Sequence, residues 1–523
     1  MNVRTCKTLA VSSALLLLGA CTDLIVEPKS TVTEANIFND VGSYRAFIAK
    51  VYSGLAVGGQ QGGDGQTDIQ GIDGGFSQYI RLYWEHEELP TDEAIIAWGD
   101  VGLPDLIKQS WSSNNPFVQA MYYRVFFQVG MANEFLRQST DEKLASRGQT
   151  SASLQAEVAT YRAEARFLRA LSYWHGLDLF GNIPLVTEAD ALGSTPPQQA
   201  TRKQIYDFVV SELIAIQGSL PAPGPATYGR ATGPAASMLL AKLYLNAAVY
   251  TGTPNYAGAL TAAQAVIAGP YTLDPSYRHN FQADNNTSPE VIFAVPEDGL
   301  KTQTYGSTNF LIHASCGGNM NSSDYGVDGC WYGLRLRPEA YNRFSPGDVR
   351  SAFFSTSGNG PAVTRVDQFD DGIKSPKFTN RTSSGAQGSN PGFVDTDFPM
   401  FRLADAYLIY AEAQLRGGGG SAGQALNYVN ALRQRAYGNT SGNITAGQLT
   451  LDFILDERSR ELLWEAHRRT DLIRFGKLTG GTYLYSWKGG TLAGTSTGSF
   501  LNLFPLPANE LVANPNLTQN TGY

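Results

Sequence analysis

Paired helical periodicity, broken by short glycine-rich turns, narrows the possible folds of this chain more than any other feature. Between Thr232 and Ala268 apolar residues recur at helical spacing as Leu239, Leu240, Leu243, Tyr244 and Ala247. A Gly-Thr-Pro-Asn turn at 252–255 interrupts them, and Ala259, Leu260, Ala263, Val266 and Ile267 resume the pattern. That predicts a helix hairpin. The same shape follows at Met400 to Leu415, where Leu403, Tyr407, Leu408 and Ala411 share a face and the run Gly417 to Gly420 ends it. Ser421 with Gln424 fits a capping box for the next helix, and Gly438 suits its far end. Thr445 with Gln448 fits another box, predicting one helix that continues to about Phe475. Further helices are expected over Ser43 to Leu55, Phe117 to Leu136, Leu154 to Leu179 and Lys203 to Ile216.

Hairpins of this size resemble degenerate tetratricopeptide units, although none carries the full consensus of that repeat. The expected fold is therefore mainly α, a superhelix of tetratricopeptide-like helix pairs joined to a loop-rich half. Periodicity fails between about Pro270 and Pro399, an interval rich in Gly, Ser, Asn and aromatic residues, with Val291 to Val295 as a short strand. Loops of such length usually carry function, and the aromatic content argues against disorder. The expected organisation is an N-terminal part over 21–269, the loop-rich centre over 270–399 and a C-terminal helical part over 400–523.

Arg4 and Lys7 precede an apolar stretch from Leu9 to Leu18, which is shorter than the roughly 20 residues of a membrane-spanning helix. Residues 1–20 therefore read as an export segment. The run Leu18-Gly19-Ala20-Cys21 resembles the lipobox of bacterial lipoproteins, in which the cysteine becomes the lipidated first residue of the mature chain. Removing 1–20 takes away two cations and no anion, which moves the net charge from −8 to −10. With its basic residues dispersed among acids, such a chain is not expected to bind nucleic acid. Beyond Cys6 and Cys21 only Cys316 and Cys330 remain. An exported chain favours their pairing as a disulfide around the polar stretch Gly317 to Gly329, the alternative being two buried free thiols.

No metal or catalytic motif emerges. His86, His175, His279, His313 and His467 are scattered without ligand spacing, and neither a G-x-S-x-G elbow nor a phosphate-binding G-x-x-x-x-G-K-[ST] loop is present. No cofactor is expected. Glu85, Glu87, Glu88, Asp92 and Glu93 are numerous enough for a glycosidase pair, but such clusters are more often a solvated face. Asp367, Asp370 and Asp371 offer hard oxygen ligands for calcium without the spacing of an EF-hand loop. The charged run from Glu457 to Arg474, including a Glu465–Arg469 pair at helical spacing, reads as a structural network.

Several stretches carry a family resemblance. Ala165-Arg-Phe-Leu-Arg-Ala-Leu-Ser-Tyr173 with Phe180-Gly-Asn-Ile-Pro-Leu-Val186, Phe401-Arg-Leu-Ala-Asp-Ala-Tyr-Leu-Ile-Tyr-Ala-Glu-Ala413, and Glu457-Arg-Ser-Arg-Glu-Leu462 with Asp471-Leu-Ile-Arg474 closely resemble the SusD/RagB family. So does the ending, Phe504-Pro-Leu-Pro507 through Asn514-Pro-Asn-Leu517 to Tyr523. Ala466 departs from it, standing where members often have Gly, and the middle of the chain matches only loosely. The resemblance implies a surface-exposed, lipid-anchored outer-membrane protein without catalytic activity. It implies docking on a TonB-dependent transporter and capture of oligosaccharides, or of peptides as in some relatives. Ligand contacts would come from the loop-rich half, where aromatic faces stack on sugar rings and polar side chains meet hydroxyls. Trp98, Tyr305, Trp331 and Tyr332 are the aromatic candidates, with Asn309 and Asp324 as hydroxyl partners. A secreted glycoside hydrolase acting through carboxylates near Glu87 to Glu93 is the competing reading.

Overall fold

Helix starts follow local capping chemistry through most of the chain. A computed structural model describes residue 38 and residues 42–60, 62–63, 67–191, 193, 195–355 and 360–523. Cys21 and residues 1–20, expected to be an export segment, lie outside the described residues. Helices α1 (Gly42–Ala56), α2 (Tyr79–Glu88), α3 (Pro116–Gln138), α4 (Ala152–Phe180), α5 (Arg202–Ile216), α6 (Gly233–Leu245) and α7 (Tyr256–Ile267) build the first half. Asn115, Ser151, Thr201 and Thr232 cap α3 to α6, each accepting a backbone N–H of the first turn. After the loop-rich centre come α9 (Leu403–Leu415), α10 (Ala422–Tyr437), α11 (Leu451–Leu462) and α12 (Arg468–Arg474), with the short α8 (Ser307–Ala314) inside that centre.

The helices pack in succession: α3 on α4, α4 on α5, α6 on α7, α7 on α9 and α9 on α10. This is the expected mainly α arrangement of helix pairs. Strands are few. Among the described residues β1 (Ala94–Ile96) pairs antiparallel with β5 (Leu334–Leu336), β2 (Ile183–Pro184) with β3 (Gln199–Ala200), and β4 (Val291–Val295) with β6 (Phe398–Arg402). From Tyr44 to Tyr523 the chain forms one compact unit.

Two expectations are corrected here. The helix predicted to run from Thr445 to about Phe475 is broken in two places. The Thr445–Gln448 box closes only a single 3₁₀ turn, Thr450 caps α11, and the chain leaves helical geometry again between Leu463 and His467. Trp464 and Ala466 adopt positive φ (61° and 59°), and the bend seats the Trp464 ring in the core, edge-on to Trp84 at 5.7 Å. The Trp84 indole N–H donates to the Trp464 carbonyl at 3.0 Å. Packing of one large ring outweighs the continuity of the helix.

The second correction concerns the acids. Glu85, Glu87, Glu88, Asp92 and Glu93 are not a solvated face but are all buried. Arg468 donates to Asp92 at 2.7 Å and Arg469 to Glu87 at 3.1 Å, while Glu93 accepts from Ser459 at 2.5 Å. Burial opposes ionisation of Asp92, yet the Arg343 and Arg468 guanidinium groups hold its carboxyl well below the usual range. Arg469 is therefore turned to Glu87 and Asp178 rather than to Glu465, which binds Lys377 and Arg402. A second buried network joins Arg350 to Asp348, Glu457 and Glu461, and Arg402 to Glu290, Glu461 and Glu465. It ties the loop-rich centre to α11.

Candidate functional site

Gln78 fixes the frame of the site. Its side-chain carbonyl accepts the N–H groups of Arg81 at 2.8 Å, capping α2, and of Ser307 at 3.0 Å at the start of α8. Its amide donates to the carbonyls of Leu55 and Ala56 at the end of α1. Gly306 has no side chain for good reason, since a Cβ there would lie 2.3 Å from Gln78. One amide thus joins three chain segments.

The loop carrying Trp331 is held by α8. The Sγ atoms of Cys316 and Cys330 are bonded, with Cα atoms 5.0 Å apart. Immediately beyond, the N–H groups of Trp331, Tyr332 and Gly333 donate to the carbonyls of His313, Cys316 and Ala314 at 2.7, 3.1 and 2.9 Å. The His313 and Ala314 carbonyls end the helix and have no further helical donor, so the returning chain satisfies them. The β1–β5 ladder continues past its strands, with the Ala97 N–H donating to the Gly333 carbonyl at 2.9 Å. That register brings Trp98 beside Trp331, and its indole N–H donates to the Trp331 carbonyl at 2.9 Å.

The result is a cleft of about 470 Å³ lined by Gly75, Arg81, Tyr305, His313, Asp328, Trp331, Gly392 and Phe393. Trp331 stacks on the His313 imidazole at 4.6 Å and 19°. Tyr305 meets Trp331 edge-on at 5.6 Å and 89° and lies parallel to Phe393 at 5.8 Å. Trp98 inclines to Trp331 by 44° at 6.4 Å. Arg81 places its guanidinium 4.4 Å from the Phe310 centroid and 5.5 Å from that of Trp98. It donates to the carbonyls of Gly75 at 3.0 Å and Tyr305 at 3.2 Å, and to the Glu85 carboxylate at 3.0 Å.

His313 is a neutral support. Burial pushes its pKa down, and its Nδ1 lies 2.8 Å from the Gly329 carbonyl, an atom that only accepts, so Nδ1 carries the proton. It packs flat against one face of Trp331.

Of the six residues picked from sequence, Trp98, Tyr305 and Trp331 converge here. The other three do not. Tyr332 is half-exposed (49%) with φ +56° and packs on Phe369 instead. Asn309 is buried in α8 and donates to the Thr304 carbonyl at 2.9 Å. Asp324 sits exposed on the 3₁₀ turn Ser322–Tyr325. Arg81, His313, Asp328 and Phe393 were missed. The aspartates proposed for calcium are engaged separately: Asp367 with Arg365, Asp370 with Lys374, and Asp371 with the Thr364 and Arg365 N–H groups. Among the described residues no group of three or more His, Cys, Asp or Glu is placed to hold a metal ion.

The chain is 34% identical to the starch-binding protein SusD of Bacteroides thetaiotaomicron, an alignment covering 91% of each protein. It belongs to the SusD family. The SusD family profile matches residues 356–523. A SusD-like protein of Bacteroides ovatus is 24% identical over 89% of this chain and 82% of its own length. In fold the chain is similar to surface glycan-binding protein A from Bacteroides thetaiotaomicron, solved in complex with laminarihexaose, with TM-score 0.70 and 21% identity over 91% of this chain and 98% of that one. It is also similar to a SusD superfamily protein from Parabacteroides distasonis, with TM-score 0.71 and 23% identity over 94% and 100% of the two chains. The SusD-family profile covers the helices α9 to α12 and the closing segment, whereas most of the cleft is built from residues before it.

Proposed function

We propose that this SusD-family protein is a non-enzymatic saccharide receptor that takes an α-glucan oligosaccharide into the cleft of Trp98, Tyr305 and Trp331. The observation that carries this reading is the set of mutually inclined rings at one cleft, Tyr305 and Trp331 in its lining and Trp98 beside Trp331, with a cation in its wall. Sugar rings present apolar faces to aromatic planes and hydroxyls to polar side chains, and inclined planes suit a chain of sugars that coils. Similarity to a starch-binding relative across nearly the whole chain supports the α-glucan class. The hydrolase reading loses its premise, because the acids it needs are buried, with Glu87 and Asp92 paired to Arg469 and Arg468 and Glu88 to the backbone of His467. In the same proposal Cys21 carries the lipid, the protein stands at the outer membrane, and a SusC-like TonB-dependent transporter receives the bound sugar. Family membership supports these parts.

Calorimetric titration of the chain from Cys21 onward with maltoheptaose, laminarihexaose and short peptides tests the proposal. Saturable heat with maltoheptaose is expected, and Trp331→Ala is expected to raise Kd about thirtyfold or more, as for loss of a central aromatic anchor. Heat with peptides alone, or product release from the sugar, would overturn it.

A further inference from the structure

Glu85 stands one turn after Arg81 on α2 and is wholly buried. Its Oε1 accepts the Arg81 Nε–H at 3.0 Å, and its Oε2 has no hydrogen-bond partner among the described residues. An acid with half its acceptor capacity unmet in a dry interior is unfavourable to the fold. Its use lies with Arg81. That guanidinium is fixed on one edge by Glu85, through Nη1 by the carbonyls of Gly75 and Tyr305, and on one face by Phe310. Nη2 is left without a protein partner among the described residues.

We infer that Glu85 is a positioning residue of the saccharide site, whose carboxylate locks rotation of the Arg81 guanidinium and holds its remaining donor at the cleft wall. The inference rests on the saccharide reading above. A carboxylate–guanidinium bond is about twice as strong as its neutral counterpart, so the lock needs the ionised acid. Burial pushes Glu85 up to about 7, against the pull of Arg81 and with a smaller push from Asp100. Among the other charged or titratable groups on the elements packed around α2, Arg124 of α3 is bonded to Ser77 and Gly58, Arg468 of α12 to Asp92, Arg469 to Glu87 and Asp178, Arg474 to Asp471, and His313 of α8 to Gly329. Affinity is therefore highest above this pKa and declines as pH falls through it.

The test is Glu85→Gln, which keeps shape and an acceptor, measured with maltoheptaose at about pH 5.5 and about pH 8.5. Wild type is expected to bind about fivefold more tightly at the higher pH. The variant is expected to show one Kd at both, equal to the wild-type value at low pH. Its melting temperature at about pH 5.5, where the wild-type acid is neutral as well, should match that of wild type, which separates lost positioning from lost folding. Equal affinity and an equal pH profile in variant and wild type would overturn the role of Glu85 while leaving the cleft intact. Binding that survives Trp331→Ala would instead overturn the cleft reading, and a wild type that binds no saccharide overturns both.

Discussion

Ala466 holds a backbone angle that its side chain disfavours. At φ +59° a Cβ crowds the following carbonyl, a conformation that costs an L-residue about 1–2 kcal/mol and that glycine adopts freely. The bend is kept because it seats Trp464. Replacing Ala466 with Gly is expected to stabilise the protein by about 0.5–1 kcal/mol, the strain relieved less the extra freedom of glycine in the unfolded chain. Urea midpoints of the two proteins check this, and a lower midpoint for the variant would show that the Ala466 methyl contributes more by packing than it costs in strain. At this scale the sequence was partly readable. Trp98, Tyr305 and Trp331 announced themselves as large rings in polar surroundings, but Tyr332 carries the same signal and is turned aside by its left-handed backbone onto Phe369. Arg81 gave no signal, because an arginine among buried residues reads as structural until its neighbours across the chain are known.

The segment from Cys316 to Cys330 is the element on which the Trp331 ring depends. Its ends are joined covalently, and the residues just beyond it are hydrogen-bonded to the end of α8. Closing a loop of sequence separation 14 removes about 3 kcal/mol of unfolded-state freedom in the chain-entropy picture. The double variant Cys316→Ser with Cys330→Ser is expected to keep its helical circular dichroism, to lose about 3 kcal/mol of stability, and to bind maltoheptaose more weakly by about tenfold. Unchanged affinity in that variant would mean that hydrogen bonds to α8 suffice to hold the ring. Elements themselves were legible where they have a polar face or a clear stop. Helices α7 and α10 keep an exposed side and so show a helical period, whereas α6 and α9 are mostly buried and were marked by the glycine-containing turns that follow them. Helices α2 and α8 are buried along their entire length, so no alternation marks them, and both went unread. They are the two helices that carry Arg81 and His313. Residues 445–475 failed for the opposite reason: good caps and propensity across a stretch that tertiary packing bends.

Across the whole molecule, buried ionisable groups pull stability in opposite directions with pH. Burial raises Glu85 to about 7, Glu87 to about 8 and Asp397 to about 6. Their contribution to stability is complete below ordinary carboxylate values and is lost as pH rises through those numbers. His86 and His175 are lowered by burial to about 3, so their contribution is complete above the ordinary 6.5 and lost as pH falls below it. Glu461 and Asp471, buried but held at about 2 by arginines, contribute above the ordinary carboxylate range and lose that support in acid. The urea midpoint is therefore expected to be highest between about pH 4.5 and 6.5, with a steeper fall on the acid side where histidines and paired carboxylates act together. A midpoint that keeps rising toward about pH 9 would contradict this balance.

The amide of Gln78 has a consequence for the order of assembly. It caps one helix at Arg81 and another at Ser307, which lies 229 positions beyond Gln78 itself, and it takes its remaining acceptors from the end of α1. Contacts of such separation are reached late, after local hairpins have formed, because the entropy of closing so long a loop is recovered only when both ends dock. The helix pairs can form from neighbouring sequence, but the cleft waits for the chain to return through Ser307 and Trp331. A nascent chain ending before that point holds scaffold without receptor, so saccharide recognition is a property of the finished molecule and reports on completion of its fold.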